Sequence, residues 1–367
     1  MPKNLLPFHL DGLKKRLRQK EVTRTAHLPV ERFFKQAPFV LTSEQIATKP
    51  LALQEAAKDA LRYIKRHEAT SIHIVDPVNF SAILSLELVK KTLQFIVQII
   101  EEDKKTGVFR ILNPKFLNKH FSSIAWIADK ESAERHAIKL PDNKSIRLTT
   151  YAVFNAQGRR EKSEEYNCGL YALNDDNIAK RFTKQEIIAG ALDEEPFLKK
   201  RTPLAWVTRD VLEDATMNGT VLITLPDDGS RLLNVHKNNG HVYDKRLTDR
   251  RNQRRYWFFK DIGTQTHEAK HRLERIKQRD NVIFAGDLQN IGLGKLIALR
   301  HLNPKTNLPE LRLGILADTG NAFRNNLYQL DYFAGLVQGP DELREIIRQR
   351  PTFSKACILY KRERKAT

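Results

Sequence analysis

Cysteine is almost missing from this chain: only Cys168 and Cys357 occur in 367 residues. That is too few for a disulfide framework, and the two stand too far apart for a metal knuckle, so the redox compartment stays open. Long apolar runs are missing as well. No stretch approaches the roughly 18 residues a membrane-spanning helix needs, and 41% hydrophobic with 29% charged residues is the composition of a soluble globular protein. The opening MPKNLLPFHLDGLKKRLRQKE has neither the apolar core nor the small-residue cleavage site of a secretory signal, and no cysteine for acylation. This implies a sequence without its signal or export by another route. Internal repeats, a G-x-S-x-G elbow, a P-loop and a dinucleotide fingerprint are all lacking, and the missing motifs weaken the case for most enzyme classes.

Positive charge is what the chain has in excess. A formal net charge of +19 gives a surface field that attracts polyanions, whether nucleic acid, anionic lipid or an acidic polysaccharide. Lys14, Lys15, Arg16, Arg18 and Lys20 concentrate it near the start, where a solvated face is the plain reading and a nucleic-acid or membrane role the alternative.

Periodicity predicts a helix over Leu51–His67 and a long one-sided helix within 81–103, where Leu84, Leu88, Leu93, Ile96 and Ile100 recur at helical spacing. Ile146–Phe154 is rich in β-formers, and Thr183-Lys-Gln-Glu186 reads as a capping box opening a helix to Leu192. Strands are expected at 221–225, 232–236, 282–285, 295–299, 311–317 and 355–360, with the turn Pro226-Asp-Asp-Gly229 and helices at 267–278 and 341–348.

Two segments invite chemistry and read better as structure. His267-Glu268-Ala269-Lys270-His271 matches H-E-x-x-H, which would set two imidazoles one turn apart on zinc. The helix continues as Arg272, Glu274, Arg275, Lys277 and Arg279, a lysine sits between the histidines, and no third ligand follows, so no metal is expected. RRNQRRYWFFK, 250–260, interleaves arginines with four aromatics that could stack on bases. Four consecutive aromatics rarely all face solvent, which favours a strand entering the core.

Three aspartates in the C-terminal β-region remain. Asp287 and Asp318 stand at strand ends beside turn-forming residues, where a carboxylate commonly accepts backbone N–H bonds. Asp331 is flanked by Leu330, Tyr332 and Phe333; apolar surroundings raise a carboxyl pKa and let it serve as an acid.

These segments resemble the three-aspartate domain of the membrane-bound lytic transglycosylase A family. AGDLQNIGLG is similar to its first element, ELRLGILADTG to its second and LDYFAG to its third. Upstream, LTTYAVFNAQGR resembles the family's T-G-Y-Y segment, EYNCGLYAL its Y-P-L-Y strand, FTKQEIIAGAL its R-x-E-I-x-x-G-A-L helix start, and DDGSRLLNVHKNNGHVY its D-G-S and N-G-H-x-Y elements. The likeness spans about residues 80–365. It departs at Thr150, where the family has glycine, at Thr216–Gly219 in place of Q-G-S-G, and at Gly320–Asn325 in place of G-G-A-I-K-G.

The resemblance implies a mainly β fold with flanking helices: a double-psi β-barrel from residues 80–160 and 255–367, a smaller inserted β-domain at 161–254, and a basic, partly helical N-terminal extension at 1–79. It implies cleavage of peptidoglycan glycan strands without cofactor, leaving a 1,6-anhydro end. Asp331 is then the acid and base, Asp318 and Asp287 shape and polarise the site, and Thr149, Thr150, Tyr151, Gly320, Asn239, Gly240 and His241 contact sugar. Peptidoglycan is the expected partner, with secretion or delivery machinery beside it and no specific nucleic acid. The substrate places the protein in the cell envelope, at the periplasm or the periplasmic face of the outer membrane. A glycan binder without turnover, a basic nucleic-acid binder and a zinc protease are the competing classes.

Overall fold

A computed structural model describes residues 28–67 and 80–363 apart from 176, 179, 227, 228, 245 and 264–266, with the side chains at 267–272 and 321 outside the description. The basic run Lys14–Lys20 and the two central residues of the turn after Pro226 therefore lie outside the described residues. The strands are β1 (Phe34–Ala37), β2 (Gln45–Ile46), β3 (Phe121–Trp126), β4 (Ser145–Gln157), β5 (Cys168–Leu173), β6 (Arg201–Val207), β7 (Thr220–Thr224), β8 (Ser230–Asn238), β9 (Trp257–Asp261), β10 (Ile283–Ala285), β11 (Leu296–Leu302), β12 (Pro309–Asp318), β13 (Gln329–Val337) and β14 (Phe353–Lys361). The helices are α1 (Pro50–His67), α2 (Leu86–Asp103), α3 (Pro114–His120), α4 (Lys130–Arg135), α5 (Lys184–Ala189), α6 (Arg209–Asn218), α7 (His267–Gln278), α8 (Leu288–Ile291) and α9 (Pro340–Arg348). Helix and strand are about equally represented, which corrects the expectation of a mainly β chain. The difference lies largely in α1 and α2, each of 18 residues.

Six strands close on themselves. β14 pairs with β11, β11 with β12, β12 with β10, β10 with β13, β13 with β4, and β4 returns to β14. Two of these contacts, β10–β12 and β13–β4, are parallel. β4 is long enough to serve two neighbourhoods. Its first half belongs to the ring, while Phe154–Gln157 pair with β7 and lead through β8 to β9.

Two apolar clusters follow from this layout. One gathers Ile297, Leu313, Ile315 and Leu330 of the ring with Leu53 and Ile64 of α1 and Leu93 and Ile96 of α2. Full burial of such a side chain contributes roughly 1.5–3 kcal/mol. Gly294 lets the two helices dock: its φ of +89° suits glycine, and a Cβ there would come within 3.2–3.4 Å of Ile64, Val89 and Leu93. The other cluster combines Tyr171, Trp206, Ile223, Tyr256, Phe258 and Phe259. The aromatics of RRYWFFK are thus core residues and offer no stacking surface.

Residues before 80 are more than the expected appendage. Val30, Phe34, Phe39 and Leu41 join the first cluster, β1 pairs with β3, and β2 pairs with β12. Asp59 of α1, almost fully buried, accepts from Arg279 Nε at 2.6 Å and lies 2.8 Å from Arg275 Nη2. Removing Asp59 would strand the buried Arg279 guanidinium, a loss of the kind that costs about 3–5 kcal/mol. The capping box at Thr183 is present, but α5 ends at Ala189 because Gly190 turns left-handed, with φ 108°.

Candidate active site

The site is built on β13, at the register where four strands lie abreast. Asp331 pairs with Thr149 of β4 on one side and with Ala285 of β10 on the other, and Ala285 pairs in turn with Asp318 at the end of β12. Side chains opposite one another across a sheet project to the same side, so Thr149, Asp331, Ala285 and Asp318 form one row. Ala285 occupies the register position between the two acids. Gly286, just after β10, sits close under two leucines: a Cβ there would come within 2.7 Å of Leu330 Cδ2 and 2.9 Å of Leu316 Cδ1, so either side chain would have to shift.

Both acids hold protons unusually well. Burial pushes Asp331 up to about 7, against the bond from Gln329 Nε2 to its Oδ1 at 3.1 Å and the charge of Arg147, which pull it down. The charge of Asp318 adds to the rise. Gln329 Nε2 also donates to Thr149 Oγ1 at 2.8 Å, tying Asp331 to β4. Asp318 is only 1% exposed, and burial lifts it likewise to about 7. The Tyr151 hydroxyl donates to its Oδ2 at 2.7 Å and the Thr319 N–H to its Oδ1 at 2.8 Å, which favours the charged form. β4 and β12 face each other across the ring, so the Tyr151 side chain spans it. Burial and the Asp318 charge hold the Tyr151 phenol well above 10, which keeps it a donor.

Asp287 stands apart from this pair. It caps α8, accepting from Asn290 N at 3.1 Å and Asn290 Nδ2 at 2.7 Å, and holds Asn326 N at 3.1 Å. Burial raises its pKa, yet all these bonds are local architecture, fixing the 319–327 segment to α8. Thr150 points to the opposite side of the row, where its Oγ1 accepts from Arg350 Nη1 at 3.3 Å. Arg350 also bonds Asn281 and lies over the Tyr332 ring. Gly320 has open space where a Cβ would stand. Asn239 is spent on backbone: it donates to Phe182 O and Arg254 O, both at 2.9 Å, and accepts from Tyr256 N at 3.0 Å. Gly240 N caps back onto Asn238 Oδ1 at 3.0 Å. His241 follows directly in sequence and lies close to Glu186 at the start of α5. None of the three makes a described bond to the acid row.

Gln329 and Arg147 face the row without having been singled out by the sequence. They pair with each other across β13 and β4, two residues before Asp331 and Thr149, so alternation along the two strands was the signal that could have found them. The side chains of His267 and His271 lie outside the described residues, and among the described residues no group of three His, Cys, Asp or Glu side chains is placed to hold a metal.

No family model and no curated protein sequence matches the chain. Solved structures do. A membrane-bound lytic murein transglycosylase from Agrobacterium tumefaciens superposes with a TM-score of 0.55 at 12% identity, covering 88% of this chain and 97% of the other. MltA of E. coli with bound chitohexaose gives 0.58 at 15% identity over 90% and 95%, and MltA of Neisseria gonorrhoeae 0.53 at 15% over 90% and 96%. The chain has the fold of MltA. Residues 80–367 alone make up less than four-fifths of the sequence, so a match to the MltA fold over about 90% of the chain takes in part of the segment before residue 80. At these identities the likeness is one of fold.

Proposed function

We propose that the chain is a lytic transglycosylase that cuts the β-1,4 bond between N-acetylmuramic acid and N-acetylglucosamine in peptidoglycan, with Asp331 acting first as acid and then as base. The observation that carries this reading is a carboxyl group that keeps its proton up to about pH 7, in a chain folded like MltA. In this reading the six-strand ring is a double-psi barrel, the 161–254 unit is its inserted β-domain, and the glycan lies between them. Asn218, at the end of α6 in that unit, accepts from Ala152 N at 3.4 Å, next to Tyr151, which supports a site at this junction.

Protonated Asp331 donates to the oxygen linking the two sugars, and the bond from that oxygen to the muramoyl anomeric carbon breaks as an oxocarbenium-like state develops. The carboxylate then takes the proton of the muramoyl 6-hydroxyl, whose oxygen closes on the anomeric carbon. An internal nucleophile of this kind has a high effective molarity and competes well with water. A second carboxylate able to activate water would give hydrolysis instead. Asp318 lies in the same row about 9.5 Å away by strand spacing, but it is sealed in and engaged by Tyr151 and Thr319. Neither metal nor cofactor enters any step. The substrate assigns the protein to the cell envelope.

Mass spectrometry of purified sacculi incubated with the protein tests the proposal. Anhydro-muropeptides, about 18 mass units lighter than their hydrolytic counterparts, support it. Predominantly reducing-end muropeptides overturn transglycosylation, and an unaltered digest overturns glycan cleavage.

A further inference from the structure

Arg147 takes no part in the steps above. Its backbone N–H bonds Tyr328 O at 2.7 Å, but among the described residues its guanidinium makes no hydrogen bond and no ion pair, although it is half-buried. A half-buried guanidinium ordinarily finds a carboxylate, because five donors and a full charge are costly to leave unmatched. Its position is specific. Arg147 pairs with Gln329 and stands two residues before Thr149, on the side of β4 that faces Asp331. One strand across and two residues along puts its Cα roughly 8 Å from that of Asp331, a gap its side chain can bridge. Its charge is felt at Asp331, where it favours the ionised form. Asp331 itself is no ion-pair partner, being engaged by Gln329.

Resting on the proposed transglycosylase reading, we infer that Arg147 binds a carboxylate carried on the 3-O-lactyl substituent of the muramoyl residue whose bond Asp331 breaks. The lactyl group hangs from the same sugar ring as the scissile bond, so an arginine one strand from the acid meets it directly. Its carboxyl group is charged only where the stem peptide has been removed. In a peptide-bearing strand it is an amide, and the nearest carboxylate sits on the second peptide residue, some two residue steps of roughly 3.5 Å further out. Reach therefore selects the free lactyl carboxylate, and with it strands already stripped by a reaction that hydrolyses the lactyl–peptide amide bond.

The test compares three substrates: peptide-bearing glycan strands, amidase-stripped strands, and stripped strands whose lactyl carboxylates have been converted to neutral amides. Charge-assisted bonds of this kind correspond to roughly ten- to a hundredfold. The wild-type protein should therefore show kcat/KM higher by that factor on stripped than on neutralised strands, expressed mainly in KM. Arg147→Gln should bring the ratio close to one, and Arg147→Lys, which keeps the charge but loses the bidentate fork, should leave it intermediate. A preference for peptide-bearing strands that Arg147→Gln abolishes overturns the lactyl assignment, because the carboxylate bound is then one on the stem peptide. Cleavage of all three substrates with the same ratio in wild type and Arg147→Gln overturns the inference alone. Failure of the wild-type protein to cleave any of them overturns the transglycosylase reading and this inference together.

Discussion

Replacing Asp331 by asparagine should do two opposite things: abolish turnover and, above neutral pH, stabilise the fold. In the folded protein Asp331 holds its proton up to about pH 7, whereas in the unfolded chain it releases it near pH 4. Folding therefore takes up a proton between those limits. Stability falls as pH rises through the window by up to about 1.4 kcal/mol per unit, or about 4 kcal/mol in all. The residue is partly exposed, and screening brings the figure to about 2–4 kcal/mol. Asparagine carries no charge at any pH and escapes this loss, so the variant's advantage should be absent at pH 4, grow to pH 7 and then level off. Whatever fixed cost the amide introduces beside Gln329 drops out of that difference. Urea unfolding of both proteins at several pH values between 4 and 8 measures it, with sacculus digestion and pull-down alongside. Turnover should fall by roughly 10²- to 10⁴-fold while sacculus binding persists. Stability curves that run parallel from pH 4 to 8 would falsify the protonated carboxyl, and near-normal turnover in the variant would end its role as acid and base.

Wild-type turnover should decline on the alkaline side with a midpoint near 7, as Asp331 loses the proton it donates in the proposed mechanism; a flat profile to pH 9 contradicts this. Tyr151→Phe removes the donor to Asp318 and raises its folded pKa further, so more stability is lost on going alkaline. The expected cost is about 1.5–3 kcal/mol at pH 8 and about 0.5–1.5 kcal/mol at pH 5, and an equal cost at both, read from urea unfolding, rules the bond out. Asp287→Ala removes the α8 cap and the hold on Asn326 and should cost about 2–4 kcal/mol; an unchanged urea midpoint would show the cap to be idle. Changing His267 and His271 together to alanine, or adding a chelator, should leave activity on sacculi within a few-fold of wild type, and stoichiometric zinc with chelator-sensitive activity would refute that.

What the sequence made legible was local. Thr183 and Glu186 announced their capping box, the aromatics of 256–259 their burial, and the two turn-side aspartates their backbone partners, because each depends on neighbours a few residues away. β13 was not read as a strand from its pattern, since Gln329, Asp331 and Gly335 interrupt the apolar run and only pairing with β4 and β10 secures it. Leu330, Tyr332 and Phe333 hinted at the raised pKa of Asp331. Nothing near Asp318 hinted at its own, because the partner that matters, Tyr151, lies 167 residues away. The segment 30–67 showed a helix plainly and its destination not at all. The charges of Asp59 and Arg279 look like ordinary surface residues until the fold brings them together.

The closure of the ring by β14 bears on how the molecule comes to exist. Phe353–Lys361 pairs with β3, β11 and β4 at once, so a nascent chain that has not yet delivered Phe353 cannot close the ring, and β13 and β4, which meet at Asp331 and Thr149, are about 180 residues apart in sequence. Contacts of such separation form slowly. Until they do, the strands that will carry the acid row expose open edges to other chains. A cell making this protein therefore handles, for the length of its synthesis, a chain with no assembled acid row and a tendency to stick, and holdase chaperones are what that interval calls for.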